Sequence, residues 1–105
     1  MRILLLTLLL ACAGLATAHT EVEYLTSPET RSLGLPFSDA VRVGDVLVLS
    51  GQLGIPPGTF ELVEGGIEAE THQIFANIKR ILEENGSSLD KVFNCLLYTS
   101  DAADE

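Results

Sequence analysis

Residues 35–54 read LPFSDAVRVGDVLVLSGQLG, two short apolar segments that meet at Gly44-Asp45 and end on the polar triplet Ser50-Gly51-Gln52. Ala40, Val41 and Val43 precede the turn, and Val46, Leu47, Val48 and Leu49 follow it. This arrangement predicts a β-hairpin. β-Branched residues favour a pleated, packed surface, and the unbroken run Val46 to Leu49 predicts a strand covered on both faces. Arg42, between two valines, is expected to point to solvent or to a partner chain.

The polar ending is the unusual part. A glycine inside a strand weakens it and marks either a bulge or a close approach of backbone to a ligand. Gln52 adds an amide that both donates and accepts. One reading is a bulge whose polar groups satisfy one another; the other is a binding site.

Outward from the hairpin, Glu21 to Leu25 alternates weakly and suggests a first edge strand, before a turn at Ser27-Pro28-Glu29. Pro56-Pro57-Gly58 predicts a turn, because proline cannot donate to a ladder. Phe60 to Val63 is a short strand candidate, closed by Gly65-Gly66. From Ile67 to Asn85 the period becomes helical: Ile74, Phe75, Ile78, Ile81 and Leu82 make one apolar stripe. Glu68 and Glu70 suit the positive N-terminal end of that helix, and Lys79 and Arg80 its other half. Gly86 is a left-handed stop, and Ser87 with Asp90 resembles a capping pair for a short following turn.

Few residues invite a chemical role. His72 has no histidine or cysteine partner at ligand spacing and lies off the apolar stripe, which suggests a solvated or interfacial side chain and no metal site. Glu68 with Glu70, and Glu83 with Glu84, read as acidic surface, since a catalytic dyad needs burial and convergence. There is no phosphate-binding glycine loop, and no cofactor is expected. Cys95 lies in a β-like segment, where cysteine is ordinarily buried and inert.

The 105 residues allow one small domain, short for an independent core, so oligomerisation would relieve the shortage. Residues 1–18, a single arginine followed by an apolar run and small residues at Ala16 and Ala18, read as a secretory signal peptide cut before His19. The rival reading takes Leu9-Leu10-Ala11-Cys12 as a lipoprotein site, with Cys12 lipidated at a membrane. Either way the chain is expected to be exported, periplasmic or secreted. The net charge is −9, or −10 once Arg2 leaves with the leader, and it argues against a nucleic-acid partner.

The order Pro36-Phe37-Ser38, Ala40-Val41, Gly44-Asp45, a valine and leucine strand, then Ser50-Gly51-Gln52 resembles the RidA/YjgF family of imine deaminases. Gly58, Thr59, Leu62, the stretch 66–70, Gln73, Asn77-Ile78-Lys79 and the run 86–92 extend the resemblance from Leu35 to about Asn94. It implies an α/β, chorismate-mutase-like fold, in which a curved sheet packs on helices and three subunits assemble around a barrel with a site at each interface. Residues 19–34 would be an N-terminal strand and linker, and 35–94 the N-terminal half of the domain.

By matched position, Phe37 would line the substrate pocket, where many relatives carry tyrosine, and Ser50 and Gly51 would present backbone and hydroxyl groups to the substrate. The implied reaction is hydrolysis of an enamine or imine of the 2-aminoacrylate type to a 2-keto acid and ammonia. The family's catalytic arginine and glutamate belong to segments after Asn94, so no catalytic residue is assigned; Arg31, Arg42 and Arg80 do not occupy that motif.

Residues 95–105, CLLYTSDAADE, match a translated frame of the transposase adapter used in sequencing libraries, which suggests that the reading frame leaves genuine sequence near Cys95. The other reading takes Leu96-Leu97-Tyr98 and Asp101 as a family strand ending in an acidic turn. On the first reading the chain by itself is inactive and prone to aggregate. The alternatives to a deaminase are a non-catalytic module that binds small metabolites, and an endoribonuclease.

Overall fold

The computed structural model describes residues 19–98. The expected leader, with its Ala18 cut and its Cys12 alternative, and residues 99–105 lie outside the described residues.

The hairpin forms at the expected place. Strand β2, Ala40–Val43, pairs antiparallel with β3, Val46–Leu49, and Val43 faces Val46 across a two-residue turn. Gly44 has φ 56°, whereas no non-glycine residue among those described has a positive φ, so the turn takes its left-handed residue at the first central position. That geometry matches the twist of the flanking strands. The edge strand also forms: β1, Val22–Leu25, pairs antiparallel with β2, giving the order β1-β2-β3.

Between β1 and β2 the expected turn is instead a short helix, α1, Pro28–Ser32. Its start is well specified. The Ser27 hydroxyl accepts from the Thr30 N–H at 3.2 Å, and Pro28 opens the helix at a position where a missing N–H costs nothing.

Alternation divides the sheet into two faces. Leu25, Ala40 and Leu49 share one face with Glu23, Arg42 and Leu47, while Val22, Tyr24, Val41, Val43, Val46 and Val48 share the other. The first is covered by the long helix α2, Gly66–Glu84, and Ala40 is fully buried there with Ile81 and Leu82. The second is open: Tyr24 is 73% exposed and Val48 57%. The expected cover of β3 on both faces is therefore met on one face only.

The same alternation overturns the expectation for Arg42. It lies on the helix-facing side, where its Nη2 donates to the Asn85 carbonyl at 2.9 Å and its Nε sits 3.3 Å from the Glu23 carboxylate. The last carbonyls of a helix have no intrahelical partner and carry its negative dipole end, so a cation is favoured there.

Helix α2 shows the expected stripe, with Ile74 and Ile78 half-buried beside Ile81 and Leu82, although Phe75 is largely exposed. Gly86, at φ 78°, stops it, and the Ser87 N–H returns to the Leu82 carbonyl at 2.8 Å. A 3-10 turn, Leu89–Lys91, follows. Its partner for Asp90 is Ser88 and not Ser87: a hydrogen bond from the Ser88 hydroxyl holds the Asp90 carboxyl below its ordinary range.

Two further expectations fail. Phe60 to Val63 forms no strand; the segment is an irregular loop tied by the Val63 N–H to the Gly54 carbonyl at 2.9 Å. Cys95 is exposed and lies outside any strand. The expected Pro56-Pro57-Gly58 turn is present, with Gly58 at φ 79° and the Thr59 N–H on the Pro56 carbonyl at 3.3 Å.

Two buried polar side chains tie these elements together. Asp39, 8% exposed at the start of β2, accepts from the Ser27 N–H at 2.6 Å and from the Thr30 hydroxyl. Burial pushes its carboxyl up, but the bonds from Ser27 and Thr30, with the Arg80 charge, outweigh this and hold it below the usual carboxylate range. Asn77, 5% exposed on α2, donates through Nδ2 to the Leu53 and Ile55 carbonyls at 3.2 and 2.9 Å, and accepts from the Gln73 amide at 2.8 Å. The loop after β3 is thereby pinned to the helix. Gly54 passes so close that an added Cβ would meet the Glu70 Cβ at 2.6 Å and its Cα at 2.7 Å.

The bare sheet face predicts self-association of the chain through its valines and Tyr24. Replacing Tyr24 and Val48 together by lysine should abolish dye binding and light scattering with no loss of helical circular dichroism; unchanged scattering would place the sticky surface elsewhere. In that soluble variant, Asp39→Ala should cost about 1–3 kcal/mol, because the Ser27 N–H and Thr30 hydroxyl lose a charged acceptor. A carboxyl held low in the folded state stabilises above its ordinary pKa, so urea midpoints should fall as pH drops below about 4, and Asp39→Ala should flatten that fall. Gly54→Ala should cost about 1–3 kcal/mol through overpacking against the Glu70 backbone, read as a lowered melting temperature.

Candidate functional site

Helix α1 ends where the Leu33 N–H bonds to the Thr30 carbonyl and the Gly34 N–H to the Arg31 carbonyl, both at 3.2 Å. Gly34, at φ 66°, then reverses the chain, a conformation that favours glycine. The following residues, Leu35 to Ser38, form one wall of a cleft of about 500 Å³, with Thr26 and Arg31 on the other side. Phe37 stands in that wall and is 51% exposed.

Ser50 lies at the far end of the hairpin but meets the same segment. Its N–H donates to the Asp39 carbonyl at 2.9 Å, continuing the β2–β3 ladder beyond Leu49, and its hydroxyl donates to the Ser38 carbonyl. Phe37 and Ser50 are thus held at one junction, two hydrogen bonds apart from the covalent chain. Gln52 turns back as well, its amide nitrogen 3.3 Å from the Ser50 carbonyl.

The polar ending therefore satisfies itself within the chain, and this bears on chemistry. With its proton spent on Ser38, the Ser50 hydroxyl offers an incoming group its lone pairs and not a donor. Gly51 is exposed, and no heavy atom lies within 4 Å of where its Cβ would stand. Its φ is not left-handed, so neither backbone strain nor a close neighbour within the chain demands glycine there.

The rest of the polar inventory stays apart. His72 is exposed on α2, and among the described residues no three His, Cys, Asp or Glu side chains converge as a metal site. Lys79 with Glu83 and Arg80 with Glu84 form helix-surface pairs at 3.9 and 2.9 Å, of little energetic weight. No helix among the described residues is long and apolar enough to cross a membrane.

Three residues that hold the site in place have no isolated signal in the sequence. Asp39 anchors α1 and so sets the far wall of the cleft; Asn77 and Gly54 fix the loop that leaves Ser50-Gly51-Gln52. The one available hint was the spacing of Ser27, Thr30 and Asp39 around a proline. Arg31 was set aside for lack of a matching motif, yet it lines the Phe37 cleft.

Comparison with known proteins agrees with this architecture. The family pattern described as Endoribonuclease L-PSP matches residues 29–105. A RutC family protein of Pyrococcus abyssi is 42% identical over 69 residues, covering 66% of this chain and 54% of the relative. A 2-iminobutanoate/2-iminopropanoate deaminase of Dermatophagoides farinae is 38% identical over 63 residues, 60% of this chain and 49% of the relative. Protein HMF1 of Saccharomyces cerevisiae is 38% identical over 65 residues, 62% and 50% respectively. The chain spans about half the length of the curated relatives it matches. With a family pattern that runs through α1, the hairpin and α2, the chain belongs to the Endoribonuclease L-PSP family, that of the RidA/YjgF and RutC proteins.

Proposed function

We propose that the whole protein hydrolyses reactive enamines and imines of the 2-aminoacrylate type to 2-keto acids and ammonia, and that this chain supplies one wall of the site. The observation that carries the reading is the junction of Phe37 and Ser50, which lies within the matched residues and opens on a cleft of small-molecule size. The similarity to a 2-iminobutanoate/2-iminopropanoate deaminase supplies the substrate class.

The chemistry is a simple hydrolysis. Water adds to the imine carbon, a proton passes to nitrogen, and the carbinolamine expels ammonia as the carbonyl forms. The protein's task is to hold the planar substrate and to move protons. Phe37 offers a flat apolar surface, and the Ser50 lone pairs can accept from the substrate N–H or from the attacking water. The described residues bring no general base to this junction, so the chain alone is inactive and the remainder of the site comes from the rest of the whole protein and from neighbouring subunits.

A homotrimer fits the open sheet face, where Val22, Tyr24, Val43, Val46 and Val48 lack cover within the chain. Export is supported by the leader pattern of residues 1–18. An RNA substrate, which the family's name would suggest, fits poorly with a net charge of −9.

The test is release of ammonia by the whole protein from freshly generated 2-iminobutanoate. The imine should disappear faster than it does spontaneously, and Phe37→Ala should lower kcat/KM about tenfold by removing the apolar surface. A protein that binds 2-oxobutanoate but releases no ammonia would instead be a metabolite-binding module, and salt-sensitive RNA retention in a low-salt gel shift would favour the endoribonuclease.

A further inference from the structure

Of the six lysines and arginines, all but Arg2 fall among the described residues. Three of these are committed to carboxylates: Arg42 to Glu23, Lys79 to Glu83 and Arg80 to Glu84. Lys91 lies on the exposed 3-10 turn next to Asp90. Arg31 differs from all of them, because it has no carboxylate within ion-pair distance among the described residues and it lines a cleft.

The surroundings of Arg31 define what it could hold. No acidic side chain lines the cleft, although the chain carries 15 aspartates and glutamates. The guanidinium donates once, from Nη2 to the Thr26 carbonyl at 3.3 Å, which orients its plane and leaves most of its fork free. The opposite wall is apolar: Leu35, Pro36 and the exposed ring of Phe37. A planar cation facing an apolar wall suits a carboxylate with a short apolar chain, gripped through paired N–H bonds.

The net charge gives this cation added weight. A chain at −9 repels small anions from its surface, so an anionic substrate needs a local positive point to enter. We propose that Arg31 is the carboxylate-capturing residue at the mouth of the Phe37 cleft and selects short 2-imino and 2-keto carboxylates over their neutral analogues. The choice of imino acids rests on the deaminase reading above; the anion preference of Arg31 stands on the cleft itself.

The experiment compares wild type, Arg31→Gln and Arg31→Lys in the whole protein. Arg31 is exposed and makes a single side-chain bond, so neither variant should alter the melting temperature. Arg31→Gln should raise KM for 2-iminobutanoate about fivefold to tenfold with kcat unchanged, and Arg31→Lys should restore much of the loss. The difference should shrink at about 0.5 M salt. Calorimetric binding of 2-oxobutanoate should weaken in parallel, while that of uncharged 2-butanone should not respond to the substitution.

An unchanged KM and an unchanged affinity for 2-oxobutanoate in Arg31→Gln would overturn the assignment, as would an equal loss for 2-butanone. Should the wild-type protein release no ammonia, the deaminase reading falls, and 2-oxobutanoate affinity alone decides for Arg31. Weaker binding by Arg31→Gln would then uphold its role, and equal binding, or none by either protein, would overturn it.

Discussion

Asp39 stands at the first turn of β2, and its two carboxylate oxygens reach back across the linker to the Ser27 N–H and the Thr30 hydroxyl. Those two groups are the start of α1, so one buried charge fixes where the helix begins and how it lies against the sheet. Everything on the N-terminal side of the cleft follows from that anchor, because Arg31 is the next residue along the helix and Gly34 turns the chain from its end toward Phe37. An ionised carboxylate is tolerated at 8% exposure because donors meet it and the Arg80 charge lies near. Its backbone serves as well: the Asp39 carbonyl takes the Ser50 N–H, so the residue that anchors the helix also extends the hairpin to the polar ending.

Asn77 performs a corresponding task on the other side. It is one of the two polar residues buried among those described, and its amide holds the carbonyls of Leu53 and Ile55 where no strand partner is present to take them. The loop beyond Ser50-Gly51-Gln52 therefore lies flat along α2, with Gly54 pressed onto Glu70. An apolar residue at position 77 would bury comparable area and still leave two backbone carbonyls unpaired. The core is small, so buried hydrogen bonds carry a larger share of the specification here than in a domain with a thick interior.

What the sequence disclosed follows from range. The hairpin and α2 are written in short periodic patterns, and the turn residues Gly44 and Gly86 sit where the backbone needs a positive φ. The motif order also led correctly to the family. The short helix α1 was missed because Ser27-Pro28-Glu29 has both turn chemistry and capping chemistry, and the tie that decides for a helix comes from Asp39 in another element. Phe60 to Val63 has strand-like residues but no neighbour to pair with, so propensity without a partner left an irregular loop. Arg42 was misplaced for a simpler reason: its valine neighbours were read as the buried ones, whereas Ala40 sets the buried parity and Arg42 shares it. Phe37, Ser50 and Gly51 were singled out from motif order, and the hydroxyl bond from Ser50 to Ser38 is a contact between positions that no local pattern links.

The two faces of the sheet explain why so much apolar surface remains. β-Branched residues on Val41, Val43, Val46 and Val48 are costly choices for a surface in water and natural ones for a packed interface. On the helix side, small Ala40 lets α2 approach and Arg42 closes its C-terminal end, a combination that packs completely with one helix. On the valine side no polar residue interrupts the row from Val22 and Tyr24 to Val48, so nothing there resists a second apolar layer. The hairpin thus works in two directions at once. Its covered face holds the helix that positions the loop after Ser50, and its bare face is available to draw other protein into contact, which is the arrangement required of a wall that is complete only in an assembly.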